Sequence, residues 1–254
     1  MTFWGAINGL TAFAVLKKTI MSLLDLQEIP RRTMTLFFLV DKSGSMQGSK
    51  IASVNDAIRN IIPVIRDISD SNPDAEIRIA TLEFASDCHW MYDEPQSLND
   101  FRWLDIRAEG WTAMGEACLE LNAKLSKHGF MKSPSGSYAP VLIMLSDGAP
   151  TDDFHTSIAT LQQNPWFKHA IRIAIAIGND ANYDVLREFT GNPEAIYEAY
   201  NTDALKSIIR IAAVTSSQIG TQSAHTGSTT KQEQVIQQIN HQLETADTSD
   251  AEEW

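Results

Sequence analysis

The chain has 254 residues with 20 basic and 32 acidic side chains, a formal net charge of −12. That length holds one well-buried α/β domain with arms but leaves two full domains cramped. The acidity argues against nucleic acid or an anionic membrane as the main partner. Half of the acidic excess lies beyond Lys231, where Glu233, Glu244, Asp247, Asp250, Glu252 and Glu253 are met by no Lys or Arg, so the rest of the chain is only mildly acidic. Two cysteines, Cys88 and Cys118, lack C-x-x-C spacing, support neither a disulfide framework nor a thiolate metal site, and fit a reducing cytoplasm.

Residues 1–33 read as an N-terminal extension. Its apolar run has no basic residue before it and is closed by Lys17-Lys18 after sixteen residues, short of the ~20 that span a bilayer. No small-x-small cleavage site follows. Met21 and Met34 are alternative starts, so an over-extended reading frame accounts for the segment, and membrane association is not expected.

Residues 35–40 are continuously apolar, as in a central strand covered on both faces. Ile51, Val54, Ile58, Ile61, Ile65 and Ile68 then recur with 3-4-3-4-3 spacing, which predicts a helix with one buried stripe. Pro63 lies inside it and removes a backbone bond, so a kink or break is expected near residues 59–63. Residues 77–84 and 88–92 read as strands joined only by Ala85-Ser86-Asp87. So short a link cannot make a parallel crossover and predicts an antiparallel hairpin at a sheet edge. A helix is expected over 113–127 and a Ser/Pro/Gly loop over 132–138, then a buried strand at 141–145 and a helix through Ile158 and Leu161. Another strand at 171–177 precedes short helices at 184–189 and 202–214, which flank a small strand at 195–197. This alternation is that of an α/β fold: a doubly wound, mostly parallel sheet with one antiparallel edge strand and helices on both faces.

The domain is expected to span residues 34–215. Residues 216–254 read as a Ser/Thr/Gln-rich linker and an acidic tail. Val235, Ile236, Ile239 and Leu243 could line a short helix, but the composition favours a solvated, disordered tail, with Trp254 its one unexpected residue.

Three stretches end or follow hydrophobic runs with oxygen-bearing side chains: Asp41-Lys42-Ser43-Gly44-Ser45-Met46, Gly110-Trp111-Thr112-Ala113-Met114-Gly115 and Ser146-Asp147-Gly148. In an open α/β sheet such loops gather beyond the carboxyl ends of the strands, at the point where strand order reverses. Five ligands follow: the carboxylates Asp41 and Asp147 and the hydroxyls Ser43, Ser45 and Thr112. All are hard oxygen donors, which suits Mg²⁺ or Mn²⁺ and argues against zinc. Two carboxylates balance a divalent charge, three neutral hydroxyls fill most of an octahedron, and a position remains for water or an outside ligand. Read singly, Ser43 and Ser45 are ordinary helix caps and Asp147-Gly148 an ordinary turn; together, in order and in context, they make a site. Asp152, Asp153 and His155 read as solvated residues at a helix start, with the rim of the site as the other possibility.

This pattern resembles the metal-ion-dependent adhesion site (MIDAS) of von Willebrand factor A (vWA) domains. Asp-x-Ser-x-Ser follows the first strand, a distant Thr sits in a Gly-rich loop, and a distant Asp ends a later strand. The resemblance covers about residues 34–214 and is complete at all five ligand positions. It implies a Rossmann-like sheet and a metal whose open position takes a Glu or Asp from a partner protein. Trp111 stands where many members have a small residue, and either walls the metal or packs on its loop. Within the family, Leu39-Val40-Asp41-x-Ser43-Gly44-Ser45-Met46-x-Gly48 and Leu145-Ser146-Asp147-Gly148-x-Pro150-Thr151-Asp152 are similar to bacterial TerY-like domains of tellurium resistance and stress response. That likeness implies a cytoplasmic adaptor working with a protein kinase and a metal-dependent phosphatase. The alternative is the partner subunit of an AAA+ chaperone-like or chelatase-like ATPase.

An enzyme reading fares worse. Haloacid dehalogenase phosphatases also open on a strand-end Asp, but they need a second Asp two residues on, and Ser43 cannot act as general acid at neutral pH. There is no Gly-x-Ser-x-Gly elbow, no P-loop and no zinc-hydrolase His spacing. No catalysis is expected.

Overall fold

The computed structural model describes residues 31–178, 181–222 and 229–251; the expectations for residues 1–30 and for Trp254 lie outside them. In chain order the elements are β1 (Arg32–Asp41), α1 (Ser49–Ser71), β2 (Ala75–Phe84), β3 (Cys88–Trp90), β4 (Gln96–Ser97), α2 (Met114–Lys124) and β5 (Val141–Ser146). There follow α3 (Phe154–Leu161), α4 (Pro165–His169), β6 (Ile171–Ile177), α5 (Tyr183–Thr190), β7 (Ile196–Ala199), α6 (Thr202–Gly220) and α7 (Lys231–Ala251).

The strands form one sheet in the order β3-β2-β1-β5-β6-β7, with β4 also paired to β2. Pairing is parallel from β2 through β1, β5, β6 and β7, and antiparallel only where β3 and β4 join β2. The chain therefore moves from β1 towards one edge and returns to β5 on the other side of β1, so strand order reverses between β1 and β5. This is the doubly wound, Rossmann-like α/β architecture. β3 is the antiparallel edge strand; the two-residue β4, which also pairs β2 antiparallel, has too little sequence to show a period.

Alternation along β1 divides the core. Met34, Leu36, Phe38 and Val40 pack with α1, α6 and α7 on one face, whereas Phe37 and Leu39 pack with α2, α3, α4 and α5 on the other. Because both faces are covered, residues 36–40 of β1 and 141–145 of β5 are apolar up to their carboxyl ends.

Three differences from the sequence reading have physical causes. Of the kink or break expected near residues 59–63, helix α1 shows no break: it continues through Pro63. Pro63 and Arg59 are both on the exposed side of the helix, where water can satisfy the carbonyl that proline leaves without a donor. Helix α6 continues past residue 214 to Gly220, with Thr215, Ser216 and Ser217 buried. Most important, residues 231–251 form α7 instead of a solvated tail. Val235, Ile236 and Ile239 are fully buried, and Lys231 Nζ donates to the carbonyls of Gly220 (2.8 Å) and Gln222 (2.7 Å) at the end of α6. A capping box starts α7: Thr230 N donates to Glu233 Oε2 at 2.7 Å, and Glu233 N donates to Thr230 Oγ1 at 3.2 Å.

A candidate metal site at the carboxyl edge of the sheet

β1 ends at Asp41 and its neighbour β5 ends at Ser146, so Asp41 and Asp147 flank the point where strand order reverses, the usual ligand crevice of such sheets. Asp41 has no solvent exposure. Its Oδ1 accepts from Ser43 N at 2.8 Å, and its Oδ2 accepts from Ser146 Oγ at 2.6 Å. Burial pushes its carboxyl above the ordinary range; the bonds from Ser146 and Ser43 pull it down, and the Asp147 charge adds to the rise. Ser43 Oγ lies 2.9 Å from Ser45 Oγ. Ser43 is buried whereas Ser45 is exposed, so this arm of the site reaches from the interior to the surface.

Thr112 is tied to both other loops. Gly44 N donates to Gly110 O at 3.0 Å, and Glu109 N donates to Lys42 O at 2.7 Å, joining the Thr112 loop to the Asp41 loop. Gly44 permits this approach, since a Cβ there would stand 3.2 Å from Gly110 O. On the far side Thr112 N donates to Thr151 Oγ1 (3.1 Å), and Thr151 N donates back to Thr112 O (2.9 Å). The intervening loop is held by Asn55 of α1, whose Nδ2 donates to Ile106 O at 2.9 Å and whose Oδ1 accepts from Ile106 N and Trp103 Nε1. Gly148 turns the third loop at φ 68°, where a side chain would also meet Asn182 O at 2.9 Å.

Asp147 is the least satisfied member. It is 2% exposed and its Oδ1 has no hydrogen-bond partner, while Oδ2 accepts from Lys50 Nζ at 3.2 Å. Two buried carboxylates at one crevice are costly unless a cation compensates them. The donor set therefore suits a divalent ion. Among the described residues no group of three or more His, Cys, Asp or Glu side chains converges, so an ion here would rest on hydroxyls as much as on carboxylates.

Sequence reasoning missed the roles of three residues of this edge. Ser146 orients Asp41, Lys50 pairs with Asp147, and Thr151 fixes the Thr112 backbone. Asp152, expected as a solvated helix-start residue or part of the rim, reaches across to cap α2, accepting from Gly115 N (3.0 Å) and Glu116 N (2.9 Å). Asp153 caps its own helix α3 through Thr156 N, and His155 pairs with Glu188, so neither is bound up with the site. Trp111 does not pack on its loop. It is 72% exposed, beside Thr112 at the mouth. Both cysteines are free, and burial pushes their thiols up, Cys88 to about 12, away from thiolate chemistry.

The sequence model of the von Willebrand factor type A domain matches residues 35–211. Similar solved structures include the open conformation of the pilus adhesin SpaC from Lactobacillus rhamnosus GG, with TM-score 0.57 and 14% identity over 72% of this chain and 30% of that one. Proximal thread matrix protein 1 from the mussel byssus, with a zinc-occupied MIDAS motif, has TM-score 0.54 and 17% identity over 74% of this chain and 46% of that one. A von Willebrand factor type A protein from Catenulispora acidiphila has TM-score 0.54 and 17% identity over 73% and 43%. The chain thus spans less than half the length of each of these structures, and the likeness is one of fold. No curated protein sequence matches the chain. The family match extends over most of the chain, which belongs to the von Willebrand factor type A domain family.

Proposed function

We propose that the chain is a non-catalytic protein-binding module that holds a divalent cation with Asp41, Ser43, Ser45, Thr112 and Asp147 and offers it to an acidic side chain of a partner. The observation that carries this reading is the buried Asp147 Oδ1 without a hydrogen-bond partner, set beside buried Asp41 where strand order reverses. Bound there, the ion supplies an electrophilic centre, since only two carboxylates offset its charge. The chain's own residues orient the donors and exclude water from the inner wall, while exposed Ser45 and Trp111 leave the outer side open to a partner. Mg²⁺ or Mn²⁺ suits these donors best. The mussel protein, with zinc in its MIDAS motif, makes zinc the comparison ion for any binding measurement.

Support for a non-enzyme is chemical. Ser43, which occupies the place of the general acid in haloacid dehalogenase phosphatases, is hydrogen-bonded to Ser45 and has no carboxyl proton to give. The finer reading is a cytoplasmic adaptor in stress-response signalling beside a protein kinase and a metal-dependent phosphatase. It is supported by the motif likeness to TerY-like domains, and the cytoplasm by two free cysteines. Capture of partners from lysate with and without chelator tests the binding reading. Chelator-dependent recovery that is lost in Asp41→Ala supports it, and identical recovery in all samples refutes it. Turnover of a generic aryl phosphate that disappears in Asp41→Ala would replace it with the enzyme reading.

A further inference from the structure

One cationic side chain already reaches the site. Lys50 stands in the first turn of α1, where the helix dipole disfavours positive charge, yet its Nζ lies 3.2 Å from Asp147 Oδ2. The Asp147 carboxylate therefore helps to hold the ammonium there against the helix dipole. Lys50 also lines a cavity of about 290 Å³ between α1 and the carboxyl ends of β6 and β7, together with Ser53, Gly178, Tyr200, Asn201 and Thr202. Ser53 Oγ and Thr202 Oγ1, 2.7 Å apart, give that cavity a polar wall. A water molecule takes about 30 Å³, so the cavity has room for an ammonium group and several waters.

From this arrangement we infer that Lys50 is a built-in competitor of the metal. A divalent ion and the Lys50 ammonium draw on the same Asp147 carboxylate, and like charges a few ångströms apart repel strongly at a partly buried site. Metal binding turns the ammonium off Asp147 into the adjoining cavity, and the flexible four-carbon stem of lysine allows that swing. Two consequences follow. The competitor lowers metal affinity, and loading the metal displays a positive charge beside the mouth, where an acidic partner arrives. The inference rests on the metal reading given above.

The test is calorimetric titration of the full chain with Mg²⁺ and with Mn²⁺, comparing wild type, Lys50→Met and Lys50→Arg. Lys50→Met is expected to bind at least tenfold more tightly than wild type, and Lys50→Arg, which keeps the charge, within about threefold of it. A second readout is acylation of lysine amines by a water-soluble ester, followed by mass spectrometry. Labelling of Lys50 should rise severalfold on adding Mg²⁺, with Lys124 unchanged as the internal control, and should already be high without metal in Asp147→Asn. Equal or weaker binding by Lys50→Met overturns the proposal while leaving the metal reading in place, as does Lys50 labelling that stays level or falls with Mg²⁺. Absence of binding by wild type and Lys50→Met alike removes the metal reading, and this proposal with it. Should Lys50→Met not fold, the labelling result on wild type decides alone.

Discussion

Ile239→Ala separates a docked α7 from a solvated tail. Ile239 has no solvent exposure and packs in the core face that also holds β1, α1 and α6. Truncation to alanine removes three carbons, roughly 2.4 kcal/mol of transfer free energy at about 0.8 kcal/mol each. The cavity left behind adds to this, and measured Ile→Ala costs run from about 2 to 5 kcal/mol. With a urea m-value of about 2–3 kcal/mol/M, the unfolding midpoint should fall by roughly 1 M or more. Gln238→Ala, on the exposed side of the same helix, is the control, expected within about 0.5 kcal/mol of wild type. Urea unfolding followed by circular dichroism measures both. A loss below about 0.5 kcal/mol in Ile239→Ala would refute the docking of α7 and restore the disordered tail.

Thr112→Ala should abolish or severely weaken Mg²⁺ binding by calorimetry while leaving the unfolding midpoint nearly unchanged, because the bonds to Thr151 are made by the Thr112 backbone. Asp152→Ala should cost about 1–2 kcal/mol of stability through the lost cap on α2; it should also weaken metal binding, since the Thr112 loop runs directly into that helix. Asp41 gives a pH signature in chelator. Its pKa is raised in the folded state, so ionised Asp41 costs stability in full above that pKa, and the cost shrinks as pH falls from the folded pKa towards the unfolded one. The stability of wild type relative to Asp41→Asn should therefore rise on acidification, by urea unfolding across pH, while Mg²⁺ affinity of the wild type falls because the ligand must be deprotonated.

The buried strands and the candidate ligands are legible in the sequence because each is a local pattern. Residues 36–40 and 141–145 are apolar without interruption, and each run ends in polar residues at the candidate site. The α1 stripe is equally plain, and Pro63, on the solvent-facing side, does not break the helix. What escaped notice depends on contacts between distant segments. Lys50 carries no signal of its own in the sequence, and Asp152 reads as a solvated helix-start residue or part of the rim, until the fold sets them against Asp147 and the start of α2. Helix α4 carries a local signal that was passed over: Asn164 caps it and Pro165 opens it. The same is true of α7, whose Thr230-x-x-Glu233 capping box precedes Val235, Ile236 and Ile239. There the six acids of the tail outweighed three apolar residues, because composition reports the average of a segment and docking uses only one face.

Manganese supplies the most direct test of the metal site. Crystals of the full chain grown or soaked with Mn²⁺ should show an anomalous peak enclosed by Asp41, Ser43, Ser45, Thr112 and Asp147, with metal–oxygen distances near those of hard octahedral ions, about 2.0–2.2 Å. Density free of such a peak at saturating Mn²⁺, or manganese held only by the surface acids of the chain, would contradict the account.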